Sequence, residues 1–113
     1  MEVLNIRSAL SMMDGDKELL KTLLESYTGT EILDEKKLLA LESEEDTTEA
    51  GKYVHKFKGA GKQLGAEILG ESAQNLEDVL KKRKVGDIKK LTENFIKDYK
   101  EAISAMKEAL EIL

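Results

Sequence analysis

The run His55-Lys56-Phe57-Lys58-Gly59-Ala60-Gly61-Lys62-Gln63-Leu64-Gly65 lies within a longer segment, residues 50–69, whose spacing decides the fold. At about 100° per residue, the apolar residues of this segment recur three and four positions apart and form one stripe. Such a stripe predicts an amphipathic helix that packs against neighbouring helices. Its members are Ala50, Tyr53, Val54, Phe57, Ala60, Gly61 and Leu64.

His55, the only histidine of the 113 residues, falls on the opposite face of this predicted helix. Between Ala50 and Ala66 there are four lysines and no acidic residue, although the whole chain has a formal charge of −5. The sequence therefore predicts an imidazole that points to solvent within a local positive patch. The lysines of this patch are Lys52, Lys56, Lys58 and Lys62.

Three glycines follow the histidine, and a glycine inside a helix costs about 1 kcal/mol relative to alanine. Gly61 faces the predicted core, where close packing of two helices explains it, and Gly65 fits a helix C-terminus. Gly59 lies one turn after His55 on the exposed face, where packing requires nothing. A bare surface at Gly59 lets a macromolecule or a phosphoryl group approach the imidazole.

The pattern from His55 to Gly59, followed by Leu64 and Gly65, resembles the motif of histidine phosphotransfer (HPt) domains. Those domains carry a histidine, any residue, an apolar residue, lysine and glycine, and later an apolar residue with glycine. Gln63 stands where the family often has a polar residue on the same side. Leu76-Glu77 also resembles an apolar–acid pair on the family's next helix, and a weaker resemblance covers nearly the whole chain.

The resemblance implies a phosphorelay intermediate in two-component signalling, in which His55 accepts a phosphoryl group at Nε2 and relays it to or from a receiver-domain aspartate. Phosphorylation would be stoichiometric, without turnover of its own, so the protein would not be an enzyme. Lys58 would neutralise the phosphoryl oxygens, and Lys62 would steer the partner. Gln63 would donate a hydrogen bond to the phosphoryl group or orient the imidazole ring. Gly59 would allow the receiver backbone to approach closely.

The partners implied are a response-regulator receiver domain, a histidine kinase or both, and the receiver would bring its own magnesium, so no cofactor or metal is expected here. The family also implies a monomer. The absence of cysteine excludes disulfides and makes a zinc site improbable. The acidic balance argues against nucleic-acid binding, and no apolar run approaches a membrane span. With no recognisable signal peptide at the N-terminus, we expect a cytoplasmic protein.

Other functions fit the residues around His55 less well. The Gly59–Lys62 stretch lacks the spacing of a P-loop, because position 56 is lysine, and no strand precedes it as a dinucleotide motif requires. A small lyase or hydrolase needs a positioned partner for the histidine, and no serine or acid lies on the His55 face within residues 50–66. The remaining alternative is a helical protein-interaction module without phosphoryl chemistry, in which His55 is incidental.

The length indicates one domain over residues 1–113, and the absence of proline with much Leu, Lys, Glu and Ala predicts an all-α fold. Short turns between amphipathic segments predict an antiparallel up-down-up-down four-helix bundle with a short N-terminal capping helix. The sequence leaves open whether residues 17–43 form one kinked helix or two. Helical segments are predicted at residues 5–13, 17–43, 66–82 and 88–113, in addition to the helix that carries His55. Asp46 would cap the start of the His55 helix. The basic run 81–84 suits the C-terminus of the helix before it.

Overall fold

The computed structural model describes residues 2–113, except for the side chain of Ala60, so the part of the predicted stripe at Ala60 lies outside the described residues. The fold is all-helical, as predicted. In the described residues there are six α-helices: α1 (Ile6–Met12), α2 (Lys17–Glu25), α3 (Glu35–Glu42), α4 (Thr48–Gln63), α5 (Glu67–Leu80) and α6 (Ile88–Ile112).

Residues 17–43 form two helices rather than one kinked helix. A π-helical turn, Ser26–Thr30, ends α2, and the chain is non-helical until α3 begins. Asp34 starts α3, because its carboxylate accepts a hydrogen bond from the backbone N–H of Lys37 at 3.1 Å. The helical bundle is confirmed, whereas its strict up-down-up-down order stays a prediction.

Aspartate side chains also cap the starts of α2, α4 and α6. The carboxylates of Asp16 and Asp87 accept from the third backbone N–H of α2 and α6. Asp46 accepts from the backbone N–H of Thr48, the first residue of α4. The predicted end of α5 at Lys82 is wrong by two residues, because Lys82 adopts a left-handed backbone conformation with φ +61° that a helix cannot continue.

The core lies between α4, α5 and α6, with α2 and α3 closing its remaining side. Phe57 of α4 packs edge-on against Tyr53, Phe95 and Tyr99, which fixes the rotation of α4 about its axis. Gly61 meets the backbone of Gly70 in α5, so the predicted close packing at this glycine is confirmed. None of the helices within residues 2–113 has the length and hydrophobicity required to cross a membrane.

The turn between α4 and α5 anchors the N-terminus. Gly65 has φ +69°, as a glycine that ends a helix commonly does. Its carbonyl accepts a hydrogen bond from the backbone N–H of Asn5 at 2.9 Å, and Asn5 caps α1. The short first helix is therefore held at the end of the bundle where α4 finishes.

Candidate functional site

His55 lies in the middle of α4 with 57% of its side chain exposed, opposite the buried residues Val54 and Phe57. The outward orientation predicted from the spacing is thus confirmed. Because the aromatic contacts of Phe57 fix the rotation of α4, the imidazole projects from the bundle surface at a defined position.

A buried carboxylate lies beneath the imidazole. Glu77 of α5 is 1% exposed, and its oxygens lie 2.9 and 3.0 Å from Nδ1 of His55. Glu77 belongs to the core-facing side of α5, between the buried residues Leu76 and Leu80. The acid is therefore part of the packed interior, with the exposed imidazole above it.

Cations hold this carboxylate in its ionised form. Burial alone would raise the pKa of Glu77, but hydrogen bonds from Lys81, His55 and Lys58 lower the pKa to about 2. Nζ of Lys81 lies 2.7 Å from Oε2, and Nζ of Lys58 lies 3.3 Å from Oε1. Arg83 is more distant, at 3.7 Å. At neutral pH, Glu77 is therefore a buried anion that is surrounded by hydrogen-bond donors.

The ionised carboxylate determines the tautomer of the ring. An ionised carboxylate only accepts hydrogen bonds, so Nδ1 of His55 must be the donor. The lone pair of a neutral imidazole then resides on Nε2. Among the described residues no hydrogen bond reaches Nε2, and the ring leaves this nitrogen available at the surface.

The predicted site residues divide into two groups. The side chain of Lys58 lies near His55 but is only 14% exposed. Its ammonium donates a hydrogen bond to Oε1 of Gln74 at 2.9 Å and forms a salt bridge with Glu77. Gly59 lies one turn from His55, beside the hydroxyl of Tyr27. Lys62 and Gln63 are exposed near the end of α4, about 10–12 Å along the axis from His55.

Gln63 makes no hydrogen bond with the ring in the described residues, and the group that orients the ring is Glu77. The side chains of Lys62 and Gln63 instead border a shallow apolar groove formed by α1 and α2. The apolar residues that line this groove are Met12, Met13, Leu19 and Leu23.

The predicted positive patch is partly neutralised. Lys52 pairs with Glu49 at 3.2 Å, and Lys56 pairs with Glu31 at 3.1 Å. The second acid comes from the segment after the π-helical turn, so residues 50–66 alone gave no sign of it. No group of three or more described His, Cys, Asp or Glu side chains is placed to hold a metal ion.

Comparison with protein-family models matches residues 6–111 to the family described as the Hpt domain. The chain belongs to the Hpt domain family. This match covers the histidine helix and all but a few terminal residues, which confirms the resemblance drawn from the motif. No curated protein and no solved structure matches the chain in the corresponding searches.

Hpt domains serve as histidine phosphotransfer intermediates in phosphorelays. In this Hpt domain, three residues form contacts around His55 that the sequence pattern did not predict. They are Glu77, Lys81 and Gln74, all distant from the motif. One signal was available for Glu77, because it lies four residues after Ala73 and three before Leu80, on the apolar stripe of α5. A charged residue at a core position indicates a buried partner.

Proposed function

We propose that His55 of this Hpt domain accepts a phosphoryl group at Nε2 and relays it to or from the aspartate of a receiver domain. The observation that supports this most directly is the bond between Nδ1 and the ionised Glu77. It places the proton on Nδ1 and the nucleophilic lone pair on the exposed Nε2.

The transfer step uses little more than this nucleophile. The Nε2 lone pair forms a bond to phosphorus as the bond between phosphorus and the aspartyl oxygen breaks, and the aspartate leaves as a carboxylate. The proton stays on Nδ1, so the ring gains positive charge, which the carboxylate of Glu77 stabilises at 2.9 Å. The reverse step returns the group, so each molecule carries one phosphoryl group without turnover.

Lys58 is the motif residue best placed to assist. Its ammonium lies next to the imidazole, held by Gln74 and Glu77 in a largely buried position. A small rotation of this side chain brings its charge to the phosphoryl oxygens, where a charge-assisted hydrogen bond is strong. Magnesium and further carboxylates would come from the receiver. We therefore assign Lys58 to phosphoryl binding.

We further assign partner docking to the apolar groove between α1, α2 and the end of α4. Met12 is 57% and Leu19 is 45% exposed, which is high for large apolar side chains. Lys62, seven residues after His55, returns to nearly the same side of α4 and borders the groove. A receiver that covers His55 would therefore reach this groove, with Lys62 attracting its acidic site. One copy of the chain is enough for this contact.

Phosphoryl transfer from a labelled receiver aspartyl phosphate tests the proposal, with the wild type and a His55→Gln variant compared side by side. We expect an acid-labile, base-stable label on the wild type and none on the variant. Circular dichroism of the variant should match the wild type, since the side chain at position 55 is mostly exposed. If a panel of receivers and kinases labels neither protein, the interaction-module alternative replaces phosphotransfer.

A further inference from the structure

Two largely buried ammonium groups share one carboxylate beside His55. The side chains of Lys58 and Lys81 are 14% and 20% exposed, and Glu77 is the acid that both contact. Buried charges are normally paired with opposite charges. This pair therefore leaves one positive charge unmatched next to the imidazole, even without the more exposed Arg83. Such an excess favours the arrival of an anion.

Lys81 reaches this position across the surface of α4. A Cβ atom placed on Gly51 would lie only 2.7 Å from Cγ of Lys81, so the lysine stem lies directly over that glycine. Gly51 is therefore buried, although it lies one helical turn before the exposed His55. Because Gly51 precedes His55 by one helical turn and Lys58 follows by nearly one, the two ammonium groups flank the imidazole along the helix.

We propose that Lys81 is a second phosphoryl-binding residue and that Gly51 provides the path by which it reaches the phosphohistidine, an inference that rests on the proposed function. When Nε2 takes the phosphoryl group, the bond between phosphorus and the donor oxygen breaks and that oxygen leaves with the electron pair. The ammonium of Lys81 then turns from Oε2 of Glu77 to a phosphoryl oxygen. Lys81 keeps its protons, and Glu77 keeps the bond from Nδ1.

A different role for Lys81 would be to hold Glu77 in place and act only through it. The two roles predict different effects of removing the ammonium. A phosphoryl-binding lysine affects the phosphorylated protein and leaves the resting imidazole as it was. A lysine that only positions Glu77 would change the tautomer of the resting ring as well.

The experiment uses phosphoramidate, a small phosphoryl donor that needs no receiver, to load the wild type and variants. The lifetime of the phosphohistidine at neutral pH and its ³¹P chemical shift are measured. We expect Lys81→Met to shorten the lifetime roughly tenfold and to move the ³¹P signal, because one hydrogen bond between charged groups is lost. Lys81→Arg should retain most of the lifetime.

Two further variants distinguish the route of the Lys81 side chain over Gly51 from the effect of its positive charge. Gly51→Ala keeps Lys81 but obstructs its route, so it should shorten the lifetime in the same direction as Lys81→Met. Lys82→Met removes a neighbouring exposed lysine and should leave the lifetime unchanged. Urea unfolding of each variant checks that the loaded protein is folded.

An unchanged lifetime in both Lys81→Met and Gly51→Ala would overturn the proposal. Loss of the Nδ1–H tautomer in unphosphorylated Lys81→Met, seen in ¹⁵N spectra of the ring, would assign Lys81 to positioning and would also overturn it. If phosphoramidate fails to load the wild type, the proposal fails together with its premise. If phosphoramidate loads His55 but no receiver does, the relay fails while the effect of Lys81 is still measured.

Discussion

Gly61 of α4 and Gly70 of α5 bring the two helices into backbone contact, since a Cβ atom on Gly61 would lie 2.6 Å from Cα of Gly70. Such a distance is shorter than any ordinary contact between carbon atoms. The same helix pair carries His55 and Glu77. The close approach of the glycines therefore also keeps the carboxylate within hydrogen-bond distance of the ring.

Gly61→Ala should lower the free energy of unfolding by about 1–3 kcal/mol, because the new methyl group meets backbone that must move apart. Urea denaturation measures this change. Gly59→Ala is the matched control two residues earlier, where the nearest atom to a new Cβ is the Tyr27 hydroxyl at 3.8 Å. That control should be neutral or stabilising by up to about 1 kcal/mol. Equal losses in both variants would contradict the packing argument.

The roles of Gly61 and Gly65 could be predicted from sequence because helical spacing and C-terminal glycines depend on local rules. The break between α2 and α3 could not. Leu33 leaves the helix because its backbone N–H bonds the hydroxyl of Tyr99, 66 positions away, at 2.9 Å. A hydrogen bond over that separation has no signature in the local pattern of residues 17–43.

The candidate site also combines features that follow from local sequence rules with features that depend on distant contacts. The exposure of His55 follows from the period of α4, whereas Glu77 comes to it from another helix, 22 positions along the chain. From the sequence alone, the basic run 81–84 is favourable at a helix C-terminus. In the structure Lys81 contacts Glu77, and Arg83 and Lys84 contact Asp78. Their main partners are therefore specific acids, which the helix-dipole argument could not identify.

Tyr99→Phe should destabilise the protein by about 1–3 kcal/mol, because it leaves the buried N–H of Leu33 without an acceptor. Tyr53→Phe is a matched control, since the Tyr53 hydroxyl accepts from the more exposed N–H of Asp34, also at 2.9 Å. Water can replace that acceptor, so the control should lose less. Thermal or urea unfolding of both variants measures the two losses of stability. A larger loss for Tyr53→Phe than for Tyr99→Phe would contradict the argument from burial.

Glu77 should make the stability depend on acid pH. Its pKa in the folded protein is about 2, below the ordinary value of 4.5, so the folded state binds the proton less readily than the unfolded chain. The stability that ionised Glu77 contributes is fully present above about pH 4.5 and is lost as the pH falls towards 2.

Glu77→Gln should therefore be less stable than the wild type at pH 7, by about 2–3 kcal/mol, and the difference should shrink as the pH approaches 2. Urea midpoints measured from pH 7 to pH 2.5 test this. Glu67→Gln, an exposed change in the same helix, should follow the wild-type curve. A Glu77→Gln deficit that stays constant over this range would show that the charge is not responsible.

Lys58 and Lys62 should differ in the step of phosphotransfer that they affect. Lys58 lies beside the imidazole on Glu77, so Lys58→Met should slow transfer at saturating receiver by about 10- to 100-fold. Lys62 is exposed and distant, so Lys62→Met should leave that rate unchanged and slow only the encounter, by a few fold at low salt. Single-turnover kinetics over a range of receiver and salt concentrations separates the two effects. A slowed saturated rate in Lys62→Met, or an unaffected one in Lys58→Met, would reverse the assignment, because only a group at the reacting phosphorus changes transfer once the complex has formed.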